Sequence, residues 1–158
     1  MNAAIICVGR LKESWWRDAQ AEYVKRLSRF MNPEVVEVQD LPEPARSSQA
    51  QQAQIIEEEG RRILAKIRPE DGVVALCIDG KAMDSVAFSQ RVVSEFERGR
   101  RVVFVIGGSL GLSAQVRSRA DWKLSFSPMT FPHQLARIVL LEQLYRSMKI
   151  ASNERYHK

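Results

Sequence analysis

The chain has little of what a metal or disulfide architecture needs. Its 158 residues include two cysteines and two histidines. These are scattered without the ligand spacing of a zinc or iron–sulfur site, so no metal is expected. Cys7 and Cys77 each lie inside an apolar run, which reads as two reduced, buried thiols rather than a disulfide or a nucleophile. No apolar stretch approaches the ~20 residues that span a bilayer, so no membrane partner is expected. The first residues lack the charged, apolar and small-residue segments of an export signal. Together these absences make the cytoplasm the expected compartment. P-loop and Gly-x-Gly-x-x-Gly spacings do not occur, and no internal repeat is evident.

What is present is ordinary for a globular protein. Hydrophobic residues make up 45% and charged residues 27%, which excludes whole-chain disorder. The length suits one domain, residues 1–158, with a substantial core. The formal charge is +5, from 24 basic and 19 acidic residues. A mild basic excess fits a polyanionic partner such as nucleic acid, since phosphate neutralisation gives sequence-independent affinity.

Apolar runs at 3–8, 35–38, 73–78, 102–106 and 124–126 read as five strands, mostly parallel and buried on both faces. Helical spacing separates them, which predicts an α/β fold with crossover helices. Trp15, Ala19, Tyr23, Leu27 and Phe30 predict a helix that packs its aromatics on the sheet, with a base-stacking platform as the minor alternative. A polar helix from about Gln49 to Ile67 turns Ala53, Ile56, Ile63 and Ile67 inward. Asp84-Ser85 reads as an N-cap ahead of a helix burying Val86, Val93 and Phe96. The last helix starts near Thr130-Phe131-Pro132, proline being favoured in the first turn, and runs to about Lys149. Its apolar stripe is wider than one sheet face needs, which points to a second copy of the chain packed against it.

Chemistry is expected around residues 102–134. The fourth strand run ends in Gly107-Gly108-Ser109-Leu110-Gly111, and the fifth opens into a loop marked by Pro128 and Pro132. Ligands of open α/β sheets sit at the carboxyl ends of strands. The third run ends in Asp79-Gly80-Lys81 and offers another lip. Asp79 could accept from ribose hydroxyls or cap the following turn. The glycine run alone is explained equally well by a tight turn. His133 falls in the first turn of the last helix, where the macrodipole disfavours its charged form; it reads as structural.

Longer motifs go further. Phe104-Val105-Ile106-Gly107-Gly108-Ser109-x-Gly111, then Leu124-Ser125-Phe126-Ser127-x-Met129-Thr130-Phe131-Pro132-His133-Gln134-Leu135-x-Arg137, and the terminal Tyr156-His157-Lys158 resemble the RlmH family. These are minimal SPOUT-class methyltransferases acting on large-subunit ribosomal RNA. The likeness extends to Val8-Gly9-Arg10-Leu11-Lys12 and Leu141-Glu142-Gln143-x-Tyr145-Arg146. It implies a homodimer using S-adenosyl-L-methionine to methylate N3 of a pseudouridine in the helix 69 stem-loop of 23S rRNA, within the assembled ribosome. It also implies a C-terminal trefoil knot, which general fold rules disfavour.

Matched motif to motif, cofactor contacts fall on Leu76, Gly107, Phe126, Ser127, Pro128, Met129, Thr130 and Phe131. The resemblance places catalysis on the tail, with His157 as base, Tyr156 stacking on a nucleobase and Arg155 holding phosphate over the partner's pocket. Two departures stand out. Pro128 replaces a basic or small residue and supplies no N–H, and Asn153-Glu154-Arg155 lacks the glycine that often precedes the acidic residue. The rival readings are a non-catalytic ribosome- or RNA-binding module with a vestigial nucleotide pocket, and a small-molecule nucleotide enzyme on the same sheet.

Overall fold

The computed structural model describes residues 1–156. Ten elements alternate along the chain: β1 (Ala3–Val8), α1 (Ser14–Leu27), β2 (Glu34–Val38), α2 (Gln49–Leu64), β3 (Gly72–Ala82), α3 (Ser85–Glu97), β4 (Val102–Ile106), α4 (Ala114–Arg119), β5 (Trp122–Ser125) and α5 (His133–Ala151). The five strands form one sheet in the order β2-β1-β4-β3-β5, parallel throughout. The α/β class and the strand count follow the sequence expectation.

Chain direction sorts the helices. The β1→β2 and β3→β4 connections step one way across the sheet, and β2→β3 and β4→β5 step the other way. Uniformly right-handed crossovers must then put α1 and α3 on one face and α2 and α4 on the opposite face. The two core clusters are divided in that way. Alternate residues of each strand serve the two faces: Ile5, Phe104 and Val74 meet α1, α3 and α5, while Ile6, Val103, Val105 and Val73 meet α2 and α4.

Local signals set the helix starts. Ser48 and Gln51 form a capping box before α2, with Ser48 Oγ accepting from the Gln51 N–H at 3.2 Å and the Ser48 N–H donating to Gln51 Oε1 at 2.8 Å. Asp84 caps α3 as expected, accepting from the Ala87 N–H at 2.8 Å. Pro132 is the extended N-cap of α5 rather than its first helical residue, and that helix runs on to Ala151.

Several faces differ from expectation. Trp15 is 62% exposed instead of packed on the sheet, while Tyr23, Val24 and Leu27 of α1, with Phe30 in the turn after it, pack against the core. In α3 Phe96 is buried and Val93 packs against the core as expected, but Phe88 and Val92 join them and Val86 is exposed. In α2 Ile63 is buried, and beyond its end Ile67 packs on the core, both as expected, but Ala53 is exposed and Glu59 and Gly60 join the inward face.

The breadth of the α5 stripe has a cause within one chain. α5 lies between α1 and α3 on the sheet, and no residue from 133 to 150 is fully exposed. A second copy is not needed to explain that stripe.

Candidate active site

Three chain segments converge at the carboxyl ends of β3, β4 and β5. Residues 76–79, 106–109, 111–112, 124–127 and 129–134, with Arg117 and Ala136, line a cavity of about 810 Å³. That volume lies in the range of small-molecule and cofactor sites.

Backbone proximity shapes the lips. A Cβ on Gly107 would lie 2.9 Å from the Gly111 carbonyl carbon and oxygen, so only glycine permits this close turn. At Gly80 a Cβ would come within 2.7 Å of the Leu124 backbone. There β3 bulges between Leu76 and Lys81, both of which pair with Leu124 of β5, and the looped-out residues 77–79 line the cavity. The third lip is tied by its own hydroxyls: Ser125 Oγ donates to the Ser127 carbonyl at 3.1 Å, and Ser127 Oγ accepts from the Met129 N–H at 3.0 Å. Its rim is apolar and open, with Ile78 57%, Met129 71% and Phe131 37% exposed.

Gly107-Gly108-Ser109-Leu110-Gly111 also has the Gly-x-Ser-x-Gly spacing of hydrolase nucleophile elbows. Here Gly108 and Gly111 form an isolated bridge, and α4 begins only at Ala114. Among the described residues no hydrogen bond joins Ser109 to His133. The spacing is met without the elbow.

Charge in the wall is sparse. Among the described residues Asp79 and Arg117 are its only formally charged side chains, and Arg117 Nη2 donates to Asp79 Oδ2 at 2.6 Å. That hydrogen bond holds the Asp79 carboxyl below the usual range. His133 opens α5 beside the cavity. Its burial, with the Arg137 charge second, pushes the imidazole below its ordinary value against the pull of Asp40, so it is neutral at pH 7.

Behind the wall two buried charged groups hold the frame. Arg137 is 1% exposed and donates to the Gly9 carbonyl at 3.0 Å, Glu37 Oε1 at 2.7 Å and Gln20 Oε1 at 3.2 Å. It joins α5, the end of β1, β2 and α1. Glu59 is 4% exposed; its Oε1 accepts from the Leu41 N–H at 3.0 Å, and a Cβ on Gly108 would meet its Oε2 at 3.2 Å. Burial pushes this carboxyl above the usual range, against the Leu41 hydrogen bond.

A family model described as "Predicted SPOUT methyltransferase" matches residues 1–157. "Ribosomal RNA large subunit methyltransferase H" of Bifidobacterium animalis subsp. lactis is 50% identical over 159 residues, covering 100% of both chains. The chain belongs to the SPOUT methyltransferase family, in its RlmH branch.

Two solved structures with a distant likeness to the chain are named as a "putative methyltransferase" and a "SpoU Methyltransferase". One, from Legionella pneumophila in complex with the cofactor SAM, has a TM-score of 0.49 at 9% identity, covering 94% of this chain and 66% of its own. The SpoU methyltransferase AviRb from Streptomyces viridochromogenes, in complex with AdoMet, has a TM-score of 0.45 at 13% identity, covering 96% of this chain and 58% of its own.

In this family member the structure brings Leu76, Gly107, Phe126, Ser127, Met129, Thr130 and Phe131 to one cavity wall; Pro128 is not among the wall residues. Tyr156 lies elsewhere. Its ring packs edge-on to Tyr145 at 5.0 Å, the Arg146 guanidinium sits 4.7 Å from its centroid, and its hydroxyl donates to Glu142 Oε1 at 3.3 Å. Arg155 is exposed, and His157 lies outside the described residues. Glu142 follows His133 by nine residues of α5, or about 14 Å along the axis, so the chain's own Tyr156 is held well away from its own cavity.

Arg117, Glu59 and Gly60 were missed by sequence reasoning. Gly60 carried a usable signal, since glycine inside a helix usually has a packing reason. Its Cβ would fall 2.2 Å from Ser113 Oγ, the cap of α4.

Proposed function

We propose that the chain is a homodimeric, S-adenosylmethionine-dependent methyltransferase that modifies N3 of a pseudouridine in the helix 69 stem-loop of 23S rRNA, on the assembled ribosome. The observation that carries this reading is the convergence of three glycine- or hydroxyl-fixed lips on one cavity, with the tail anchored at the far end of α5. The likeness to a large-subunit rRNA methyltransferase over the full chain supports the substrate class.

The residues present fit the cofactor. A bent nucleoside needs apolar faces, close backbone and few charges, which Leu76, Phe126, Gly107 and the single Asp79–Arg117 pair supply. When bound, S-adenosylmethionine supplies an electrophilic methyl group on a sulfonium. The protein's part is orientation, which is worth roughly 7–11 kcal/mol in well-aligned systems. N3 must also lose a proton, and a neutral histidine suits that near pH 7. We assign that role to His157, with Tyr156 and Arg155 positioning the RNA. Because the chain's own Tyr156 is held away from its own cavity, these residues act on the cavity of the partner copy. A trefoil threading of the chain beyond β5 would keep the third lip bent around the cofactor.

The test uses ribosomes lacking the modification, labelled S-adenosylmethionine and nuclease mapping by mass spectrometry. Methyl transfer is expected to intact ribosomes well above naked rRNA, and to one pseudouridine in helix 69. Removing Tyr156-His157-Lys158 should abolish transfer and leave cofactor binding nearly unchanged. A tail-less chain mixed with a pocket-disabled Gly107→Arg chain should regain activity in the heterodimer. Cofactor binding without transfer to any RNA would establish the non-catalytic module instead, and a strictly monomeric active chain would overturn the trans arrangement.

A further inference from the structure

We propose that the Asp79–Arg117 pair at the cavity mouth reads the amino-acid end of the cofactor, Arg117 taking its α-carboxylate and Asp79 its α-ammonium; this rests on the cofactor reading above. The argument begins with charge. Among the described residues, Asp79 and Arg117 are the two formally charged side chains in a wall otherwise made of apolar groups, hydroxyls, an amide and backbone, and burial lowers the pKa of the wall histidine. S-adenosylmethionine carries its own zwitterion at one end, while its adenine and ribose carry no formal charge. A zwitterion laid head-to-tail on an ion pair puts each charge against its opposite. No other part of this ligand asks for two opposite charges side by side.

The pair is also built into place. The β3 bulge that carries Asp79 is fixed by Gly80, whose position leaves no room for a side chain against Leu124. Arg117 stands on α4, which Ser113 caps through the Val116 N–H and Val116 anchors as a fully buried residue. Stability is a poor reason for the pair, because Asp79 is 67% and Arg117 32% exposed, and ion pairs this open add little to folding.

Calorimetric binding of two neutral-sulfur nucleosides tests the proposal. S-adenosylhomocysteine keeps the amino-acid end, and 5′-methylthioadenosine lacks it. The parent should prefer the former. Arg117→Gln should weaken S-adenosylhomocysteine roughly ten- to a hundredfold, the range of a lost charge-assisted hydrogen bond, and leave methylthioadenosine within about threefold. Arg117→Lys should recover most of the preference, and Asp79→Asn should show a smaller selective loss. Parallel losses for both nucleosides, or a parent that does not distinguish them, would overturn the assignment while leaving the cofactor reading intact. Failure of the parent to bind either nucleoside would overturn both. Unchanged thermal midpoints of the variants separate selective loss from misfolding.

Discussion

Arg137 offers the sharpest test of how the site is held. Its guanidinium is 1% exposed and joins Gly9 of the β1 end, Glu37 of β2 and Gln20 of α1 to the second turn of α5. Breaking a buried pair by removing one partner costs about 3–5 kcal/mol. Glu37 is 34% exposed and can rehydrate, which moves the expected loss to the low end. The Gly9 carbonyl, left without its donor, adds about 1 kcal/mol. Arg137→Met, which keeps an apolar stem, should therefore lose about 3–4 kcal/mol. With a urea slope near ~2 kcal/mol/M, the midpoint should fall by roughly 1.5–2 M. A double-mutant cycle with Glu37→Gln should show a coupling of about 1–2 kcal/mol. A loss below about 1 kcal/mol, or no coupling, would refute the claim that this charge clamps the frame.

Three further outcomes follow from buried groups near the cavity. Glu59 has a carboxyl raised by burial, so between its ordinary and raised values the folded chain keeps a proton that the unfolded chain has released, and stability falls as pH rises across that window. Glu59→Gln, which keeps an acceptor for Leu41, should flatten the profile of thermal midpoints between pH 4 and 8 and gain most on the parent at the alkaline end. Gly60→Ala places a methyl 2.2 Å from Ser113 Oγ and should cost about 1–3 kcal/mol by denaturant titration, with α4 displaced. Cys7 is buried and its thiol is pushed up to about 12 by burial, so maleimide should reach it only on unfolding. Half-buried Cys77 lines the cavity and should label first in intact-mass time courses, more slowly with S-adenosylmethionine present.

Strand identity was legible because the apolar runs are short, rich in β-branched residues and bounded by turn residues, which together favour a strand over a helix, and β1 and β4 are buried along their whole length. The three lips were legible for the same reason, since they begin where those runs stop. Helix faces were less so. In α3, Val86 satisfies a helical period with Val93 as well as Phe88 does with Val92; only packing against Phe104 and Trp122, which Phe88 meets at ring distances of 6.3 and 6.4 Å, decides that Phe88 and not Val86 is buried. Arg137 and Glu59 were hidden because a charged side chain in an amphipathic pattern reads as solvated. Their partners lie up to 128 residues away in sequence, as for Arg137 and Gly9, so no local window contains the reason for their burial.

The two ends of the sheet are finished differently, and this bears on the proposed pairing. At the amino ends of the strands, Arg101 and Arg100 converge on fully buried Asp71 and on Asp121, with Arg119 donating to the carbonyls of residues 68, 69 and 71. That end is closed by its own charges. At the carboxyl ends the rim is Ile78, Met129 and Phe131, apolar and exposed. Each such side chain gains about 1.5–3 kcal/mol on full burial, so covering this rim is favourable. A twin subunit bringing its tail across the mouth would cover the rim and complete the site in one step. Dilution should therefore weaken cofactor binding and dimerisation together, as read by calorimetry and sedimentation at matched concentrations. Cofactor affinity unchanged under conditions where the chain is fully monomeric would show that the rim needs no such cover.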